Sequence, residues 1–302
     1  MQWRTLVTAR RALRKLSLVA SSELLWTDKL RYIWDACTRR RAPALRNHLN
    51  SRAGFRDYRL RGEMSIRLRE GSTDRKVFEE IFLERVYSPC TRAALRQPRH
   101  HPQPLILIDL GANIGLSVIY LARELGPARI IAVEPDAGNF SVLLENLRRA
   151  GLLATSTALR AFAGSEPGFA EIEDSGNGAW GMRMGPRSDS GIPVLTIAGI
   201  AEELPPPLRE PEAARIVLKC DIEGAEGELF RGIRNWDRWI GFVILEIHTE
   251  LFPAADLHTS LESSAYDWRV HGEIPSGVCI AVIGIERLGE KAAARGLEAG
   301  AR

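Results

Sequence analysis

Short apolar runs and longer amphipathic segments alternate along the chain from residue 105 onward. The pattern predicts a strand, a helix, a strand, a helix and a strand over residues 105–110, 114–125, 130–134, 137–150 and 155–160. Two further apolar strands follow at 215–220 and 241–247, with a short helix at 225–231 between them. Strands that alternate with helices pair in parallel through right-handed crossovers. The pattern therefore predicts an α/β fold with a mostly parallel central sheet and helices on both faces.

The segments around this core follow other patterns. Residues 1 to about 50 read as helical segments, 56–69 as short strands of alternating polarity, and 76–86 as a helix with one apolar side. A Gly-, Ser- and Pro-rich stretch at 164–193 is expected to form a hairpin. We expect a basic N-terminal helical extension, a lead-in of strands and a helix, the α/β domain and a flexible tail, at 1–60, 61–104, 105–287 and 288–302.

The net charge of +3 is distributed unevenly. Residues 1–61 contain 15 basic and four acidic residues, a net charge of +11, which leaves −8 for the remainder. The basic arm with its interleaved apolar residues is typical of a helical cap with a solvated face, and it also suits a peripheral contact with an anionic membrane. The acidic remainder would repel phosphates, which argues against a nucleic-acid partner.

Composition and cysteine usage favour a cytoplasmic protein without a structural metal. Hydrophobic residues make up 45% of the 302 positions, which is typical of a globular protein with a sizeable core. No apolar run reaches the roughly 18 residues of a membrane-spanning helix. The four cysteines show no CxxC spacing and no pairing pattern. We therefore predict a reducing compartment and no structural zinc.

The first candidate site follows the first predicted core strand. Gly111 allows the chain to turn sharply off the strand, and Gly115 allows the next helix to approach both a ligand and the sheet. Asp109 is suited to a cationic amine, and Glu134, at the end of the next strand, is suited to the two hydroxyls of a ribose. Asn113 replaces the second glycine of a dinucleotide fingerprint, so a pyrophosphate fits poorly. The pattern indicates a nucleoside that carries an amino acid, such as S-adenosylmethionine (AdoMet).

The second candidate site follows the strand at 215–220. Three carboxylates and a lysine lie within residues 219–226, at the sheet edge where ligands of open parallel sheets bind. We expect Asp221 to face the transferred group and Gly224 to permit the turn into the following helix. Glu226 is also explained by the first turn of that helix, where the helix dipole favours anions.

As a set, these motifs resemble those of the FkbM family of AdoMet-dependent methyltransferases, which have the class I, Rossmann-like fold. The match covers about residues 65–285 and rests on Asp109-x-Gly-Ala-Asn-x-Gly115, Glu134-Pro135, Glu145-Asn146-Leu147, Lys219-x-Asp-x-Glu-Gly-Ala-Glu226 and Glu246-Ile247-His248. The resemblance implies that AdoMet is bound by Asp109, Gly111, Ala112, Asn113, Gly115, Glu134 and Pro135. The chain departs from the family after the third strand, where an acidic residue is common and this sequence reads Ala161-Phe162-Ala163-Gly164-Ser165.

The resemblance also implies methylation of a hydroxyl on a small molecule, a glycan or a lipid-linked sugar. An alcohol does not lose its proton unaided at neutral pH, so the reaction needs a base. The candidates are Asp221, Glu223 and His248, and His248 has the most suitable unperturbed pKa, about 6.5. Asp221 and Glu223 are also potential ligands of a divalent metal, but two carboxylates alone do not establish such a site. No metal is therefore predicted.

Two other classes of function compete with this interpretation. An NAD-dependent oxidoreductase would require a third glycine and room for a pyrophosphate, which Asn113 opposes. A non-catalytic AdoMet-binding scaffold would have no need of Asp221 and Glu223 beside the cofactor residues. The sequence gives no indication of the oligomeric state.

Overall fold

A central sheet flanked by helices organises the described part of the chain. The computed structural model describes residues 13–22, 24–38, 54–97, 103–174, 182–210, 213–273 and 280–291, with the backbone alone for 34–38, 174 and 182. The helices are α1 (13–21), α2 (Trp26–Thr38), α3 (Asp74–Phe78), α4 (Ser88–Arg96), α5 (Leu116–Leu125), α6 (Ala137–Arg149), α7 (Ile197–Ala201), α8 (Glu226–Arg231) and α9 (Ala254–Ser263). The strands are β1 (Phe55–Arg59), β2 (Ser65–Arg69), β3 (Leu105–Leu110), β4 (Arg129–Val133), β5 (Ser156–Leu159), β6 (Phe162–Ala163), β7 (Gly168–Asp174), β8 (Met182–Ser188), β9 (Ile192–Leu195), β10 (Arg215–Cys220), β11 (Ile240–His248), β12 (Tyr266–His271) and β13 (Ile280–Glu290).

The central sheet has seven strands in the order β12-β13-β11-β10-β3-β4-β5. Neighbouring strands from β11 to β5 pair in parallel, and β13 pairs antiparallel with both β11 and β12. Only β13 therefore runs against the others in this sheet. The predicted α/β fold with a mostly parallel sheet is confirmed, and the order has the single reversed strand of the class I methyltransferase fold.

The alternation of side chains along β3 divides the core into two layers. Leu105 and Leu107 pack with the apolar residues of α5 and of the segments before the sheet. Ile106, Ile108 and Leu110 pack on the opposite face, with residues of α7, α8 and α9. Successive side chains of a strand point to opposite faces, so a continuous apolar run fits a strand that is covered on both sides.

A smaller sheet that the sequence pattern only partly predicted follows β5. It has four strands in the order β6-β9-β7-β8, in which β7 and β8 form the predicted hairpin. Strands β6 and β9, of two and four residues, extend the hairpin into a sheet. Such short strands carry too little periodicity to be recognised from sequence.

The predicted domain division stays a proposal, and the structure refines its details. The hairpin of β1 and β2 crosses the boundary placed at residue 60, and β13 continues to Glu290, beyond the boundary placed at 287. The helix expected at 76–86 is shorter, since α3 passes into a π-helical turn, Glu79–Leu83. Within the described ranges, no helix combines the length and the hydropathy needed to cross a bilayer.

The lead-in segment is joined to the central domain through Asn146 of α6, whose side chain is fully buried. Its Oδ1 accepts a hydrogen bond from the backbone N–H of Arg67 at 2.6 Å. Its Nδ2 donates to the carbonyl oxygens of Arg67 at 3.1 Å and of Ile114 at 2.8 Å. One side chain thus satisfies backbone groups of β2 and of the turn after β3, which are far apart in sequence.

We predict that Asn146→Ala lowers the free energy of unfolding by about 3 kcal/mol, because each buried polar group left unsatisfied costs about 1–3 kcal/mol. Urea denaturation of the full chain measures this loss. The matched control is Asn235→Ala, since Asn235 is exposed and should change stability by less than about 0.5 kcal/mol. Equal effects of the two substitutions would show that Asn146 does not join the two segments.

Candidate functional site

A cleft opens at the carboxyl ends of β3, β4 and β10. The strand register aligns Leu110 with both Cys220 and Val133, so these three strands end at the same level. The cleft encloses about 1020 Å³ including its open mouth. Its lining includes the turns after the three strands, the segment 161–163 and side chains of the lead-in between Val77 and Tyr87. Both candidate sites predicted from the sequence therefore meet in one cavity.

The turn after β3, residues 111–115, has a backbone that requires glycine at two places. Gly111 and Gly115 have φ angles of +75° and +85°, a region that favours glycine. A Cβ at Gly111 would lie 1.8 Å from the carbonyl oxygen of Asp221, so this turn and the turn after β10 are in direct contact. A Cβ at Gly115 would lie 2.7 Å from Leu143 Cδ1, so Gly115 permits the close approach of α6.

Asn113 and Glu134 are linked within the cleft. Asn113 has a φ of +49°, and its backbone N–H donates to Glu134 Oε2 at 2.8 Å. Glu134 Oε1 accepts hydrogen bonds from the Asp136 N–H at 2.9 Å and from Asn139 Nδ2 at 3.3 Å. A carboxylate offers about four acceptor positions, so Glu134 keeps capacity for a ligand. Burial raises the pKa of Glu134 to about 7, although these hydrogen bonds oppose the rise.

Asp109 is fully buried and is not among the residues that line the cleft, and its role toward the cofactor amine stays a prediction. The cationic amine that Asp109 meets in the structure is that of Lys219, whose Nζ lies 3.2 Å from Oδ1. Lys219 Nζ also lies 3.3 Å from Asp221 Oδ2 and donates to the carbonyl oxygen of Gly111 at 2.8 Å. Burial alone lowers the pKa of Lys219, but the charges of Asp109 and Asp221 outweigh it and hold the pKa well above its usual range. The lysine stays an ammonium and joins the two sites.

The turn after β10, residues 221–225, is shaped by Glu226. This carboxylate is fully buried and accepts hydrogen bonds from the N–H groups of Ile222 at 3.0 Å and Gly224 at 2.9 Å. Glu223 lies between them with a φ of +52°, a conformation that costs free energy in a residue other than glycine and that often occurs at functional sites. Glu226 therefore has the structural role that its place at the helix start suggested, and it presents Asp221 and Glu223 to the cleft.

The three predicted catalytic residues, Asp221, Glu223 and His248, lie together. Each offers a ligand atom within 4.8 Å of the others. His248 ends β11, the neighbour of β10, and is 9% exposed. Its Nε2 lies 3.9 Å from Glu223 Oε2, and its Nδ1 lies 3.5 Å from Glu226 Oε1. We name Asp221, Glu223 and His248 the acidic cluster.

The acidic cluster shifts the pKa values of its members. Burial raises the pKa of Glu223 to about 6, with a contribution from the charge of Asp221. For His248, burial lowers the pKa, but the contact with Glu226 and the negative charges around it outweigh burial and raise the pKa to about 9. His248 is therefore mostly protonated near neutral pH.

Sequence reasoning assigned no role to Glu246 or Tyr87, which also line the cleft. Burial raises the pKa of Glu246 to about 8, and the charge of Asp221 adds to the shift. Glu246 lies two residues before His248, so both side chains point to the same face of β11. That spacing is the sequence signal by which Glu246 could have been found. Tyr87 is buried, and its contact with the cleft depends on how the lead-in folds back.

The cleft residues fit AdoMet. Glu134 retains acceptor capacity for hydroxyls, and the wall at Ala161, Phe162 and Ala163 is buried and apolar, as a base requires. The Oδ1 atom of Asn113 is buried and, among the residues with described coordinates, accepts no hydrogen bond. Unsatisfied buried oxygens of this kind are suited to donors of a ligand.

The strand order and this cleft define a Rossmann-like methyltransferase domain of class I. The sequence profile described as "Methyltransferase FkbM domain" matches residues 109–267, which is more than half of the chain. The chain belongs to the FkbM family of AdoMet-dependent methyltransferases. The resemblance found in the sequence is thereby confirmed, as is AdoMet as the cofactor of the family.

Several known methyltransferases are similar to parts of this chain. The chain is 32% identical over 148 residues to hexuronic acid methyltransferase AglP of Haloferax volcanii, an alignment that covers 49% of this chain and 58% of AglP. It is 24% identical over 214 residues to Methyltransferase 1 of Beauveria bassiana, covering 63% and 80% of the two chains. A crystal structure of methyltransferase FkbM from Methylobacillus flagellatus matches with a TM-score of 0.42 and 20% identity, over 67% of this chain and 49% of that one. The chain thus spans little more than half the length of AglP.

We predict that S-adenosylhomocysteine (AdoHcy), the demethylated form of AdoMet, binds more tightly as the pH rises through about 7. Hydroxyl donors prefer the ionised form of Glu134, which predominates above its pKa of about 7. If only this form binds, the dissociation constant should fall about tenfold between about pH 6 and pH 8. Calorimetric titration at several pH values measures the change.

The matched control is Glu134→Gln, which keeps the size of the side chain and removes its titration. The variant should bind AdoHcy weakly at every pH, without the tenfold dependence. A wild-type affinity that does not change with pH, or a variant that keeps the same dependence, would exclude Glu134 as the titrating ligand.

Proposed function

We propose that the chain is an AdoMet-dependent O-methyltransferase that acts on a hydroxyl of a small molecule, a sugar or a glycan. The observation that carries this proposal is the contact between the turn after β3 and the turn after β10. The Gly111 backbone packs against the Asp221 carbonyl, so the cofactor residues and the acidic cluster face one cavity. A hydroxyl in this cavity would have a methyl donor on one side and carboxylates on the other.

When bound, AdoMet supplies a methyl group on a positively charged sulfur. Transfer forms a bond between the acceptor oxygen and the methyl carbon and breaks the bond between that carbon and sulfur, with the electron pair left on sulfur. The acceptor hydroxyl must also lose its proton. Because the displacement is in line, the main task of the protein is to hold the acceptor oxygen in position and to receive the proton.

Among the three candidates for the base, the carboxylates suit the task better than His248. His248 was favoured on its unperturbed pKa, but the surrounding carboxylates raise that pKa to about 9, so the imidazole is already protonated near neutral pH. Glu223, with a pKa of about 6, is largely ionised there and is able to accept a proton. We propose that Asp221 and Glu223 receive the acceptor and that His248 orients them through its charge.

We propose a sugar as the class of acceptor. The support is the likeness to AglP, whose name describes a methyltransferase of hexuronic acid. The aligned region covers 49% of this chain, so the acceptor of the full chain is a matter for experiment. The sequence suggested a membrane contact for the basic N-terminal arm, of which residues 1–12, 23 and 39–53 lie outside the described residues.

The experiment incubates the purified chain with AdoMet labelled with carbon-13 on its methyl group and with a panel of free hexoses, hexuronic acids and amino sugars. Nuclear magnetic resonance of the product then shows whether the label is on a hydroxyl oxygen, a carboxylate oxygen or a nitrogen. The proposal predicts a methyl ether. A methyl ester or an N-methyl product as the sole outcome would contradict O-methylation of a hydroxyl.

We predict that Asp221→Asn lowers kcat by at least about 100-fold, because a positioned proton acceptor contributes about 10²- to 10⁴-fold. The amide keeps the shape of the carboxylate, so AdoHcy affinity should stay within about threefold of wild type, that is, within about 0.7 kcal/mol. Single-turnover kinetics and calorimetry measure the two quantities.

Asp256→Asn is the matched control, because it makes the same chemical change at an exposed position of α9, away from the cleft. It should leave both quantities unchanged. An Asp221→Asn variant with wild-type kcat would remove Asp221 from the proposed mechanism.

A further inference from the structure

The acidic cluster has the geometry of an incomplete metal coordination sphere. One oxygen each from Asp221 and Glu223 and one nitrogen from His248 lie within 4.8 Å of one another. Ligand atoms around Mg²⁺ lie about 3 Å apart when adjacent and about 4.2 Å apart when opposite, so the three side chains would have to move closer together to bind one ion. The sequence offered two carboxylates, and the fold adds the imidazole from the adjacent strand.

Two members of the cluster have buried polar atoms without a hydrogen bond. The His248 side chain is about nine-tenths buried, and its Nδ1 lies 3.5 Å from Glu226 Oε1 without a well-formed hydrogen bond. Asp221 Oδ1 is also buried and accepts no hydrogen bond from any described residue, while Oδ2 lies near Lys219. Buried polar atoms are rarely left unsatisfied in native proteins, so Asp221 Oδ1 points to a ligand at this end of the cleft.

The arrangement around His248 matches the support that metal-binding histidines usually have. Its Nδ1 lies 3.5 Å from Glu226 Oε1, and the Glu226 carboxylate is itself fixed by two backbone N–H groups. A carboxylate on one ring nitrogen orients the imidazole and leaves the other nitrogen for the metal. Here that other nitrogen, Nε2, is the one on the side of Glu223.

The balance of charge also favours a cation. Asp221, Glu223, Glu226 and Glu246 converge on this end of the cleft, and the described cations that act on Glu223 or Glu246 are Arg183, Lys219 and His248. Lys219 also forms an ion pair with the buried Asp109, so its positive charge compensates the other carboxylates only in part. Carboxylates gathered in a partly buried place repel one another unless a positive charge lies between them.

We propose that Asp221, Glu223 and His248 bind one divalent cation of the Mg²⁺ or Mn²⁺ class, which takes an acceptor hydroxyl as a further ligand. Binding of the ion releases the proton of the His248 imidazole to solvent, because only the neutral ring binds a metal. Oxygen-rich sites that keep open positions suit these ions. This inference rests on the proposed O-methylation for its role. A bound cation would lower the pKa of the hydroxyl, so the proton would pass more readily to a carboxylate oxygen of the cluster that does not bind the ion, as the acceptor oxygen receives the methyl group and sulfur keeps the electron pair.

The test measures Mn²⁺ binding to the full chain after chelator treatment, by calorimetry and by loss of the electron paramagnetic resonance signal of free Mn²⁺. We expect one saturable site per chain, from which Mg²⁺ displaces Mn²⁺. Asp221→Asn, Glu223→Gln and His248→Gln should each weaken binding by at least about tenfold. Glu250→Gln is the matched control, because Glu250 is exposed and close in sequence but outside the cluster, and it should bind like wild type.

AdoHcy binding of each variant shows that the variant is folded and separates the two proposals. Methyl transfer without saturable Mn²⁺ binding, and insensitive to chelator, would overturn the cation site and leave the proposed function standing. Saturable binding that persists unchanged in all three variants would also overturn it. Mn²⁺ binding that the three substitutions weaken supports the cation site even if no hydroxyl acceptor is methylated, in which case only the proposed function fails.

Discussion

The buried ammonium of Lys219 is the interaction on which the site depends. It lies between β3 and β10, 3.2 Å from Asp109 and 3.3 Å from Asp221, and it donates to the carbonyl oxygens of Leu110 and Gly111. Removing one member of a buried ion pair costs about 3–5 kcal/mol, because the other charge is left without compensation. The lysine therefore fixes the distance between the turn after β3 and the turn after β10, which carries Asp221 and Glu223.

The two turns lie so close together that a single methyl group at Gly111 would collide with the carbonyl oxygen of Asp221. Since Leu110 and Cys220 are level in the sheet, the two turns leave their strands side by side, and the Gly111 backbone packs against Asp221. Gly111, which the sequence motif assigns to cofactor binding, thus also permits the contact between the two turns. The turns after β3 and β10 line one cleft because of the strand register, the ion pairs of Lys219 and the absence of a side chain at Gly111.

The sequence predicted what depends on local periodicity and failed where distant segments meet. The parallel sheet, its helices and the two motifs followed from apolar runs and turn residues, and the structure confirms the fold. The ion pair of Asp109 could not be predicted, because its partner Lys219 is 110 positions away and reaches back from the neighbouring strand. For the same reason the raised pKa of His248 was missed: three carboxylates from another turn cause it. The lead-in wall of the cleft, including Tyr87, depends on tertiary folding alone.

The most direct test of the central claim, that this cleft binds AdoMet through Glu134 for methyl transfer, is a calorimetric comparison of AdoHcy and NAD as ligands of the full chain and of Glu134→Ala. We expect that AdoHcy binds the wild-type chain at one site, that NAD does not bind, and that Glu134→Ala abolishes AdoHcy binding. Binding of NAD alone, or of neither ligand, would contradict it.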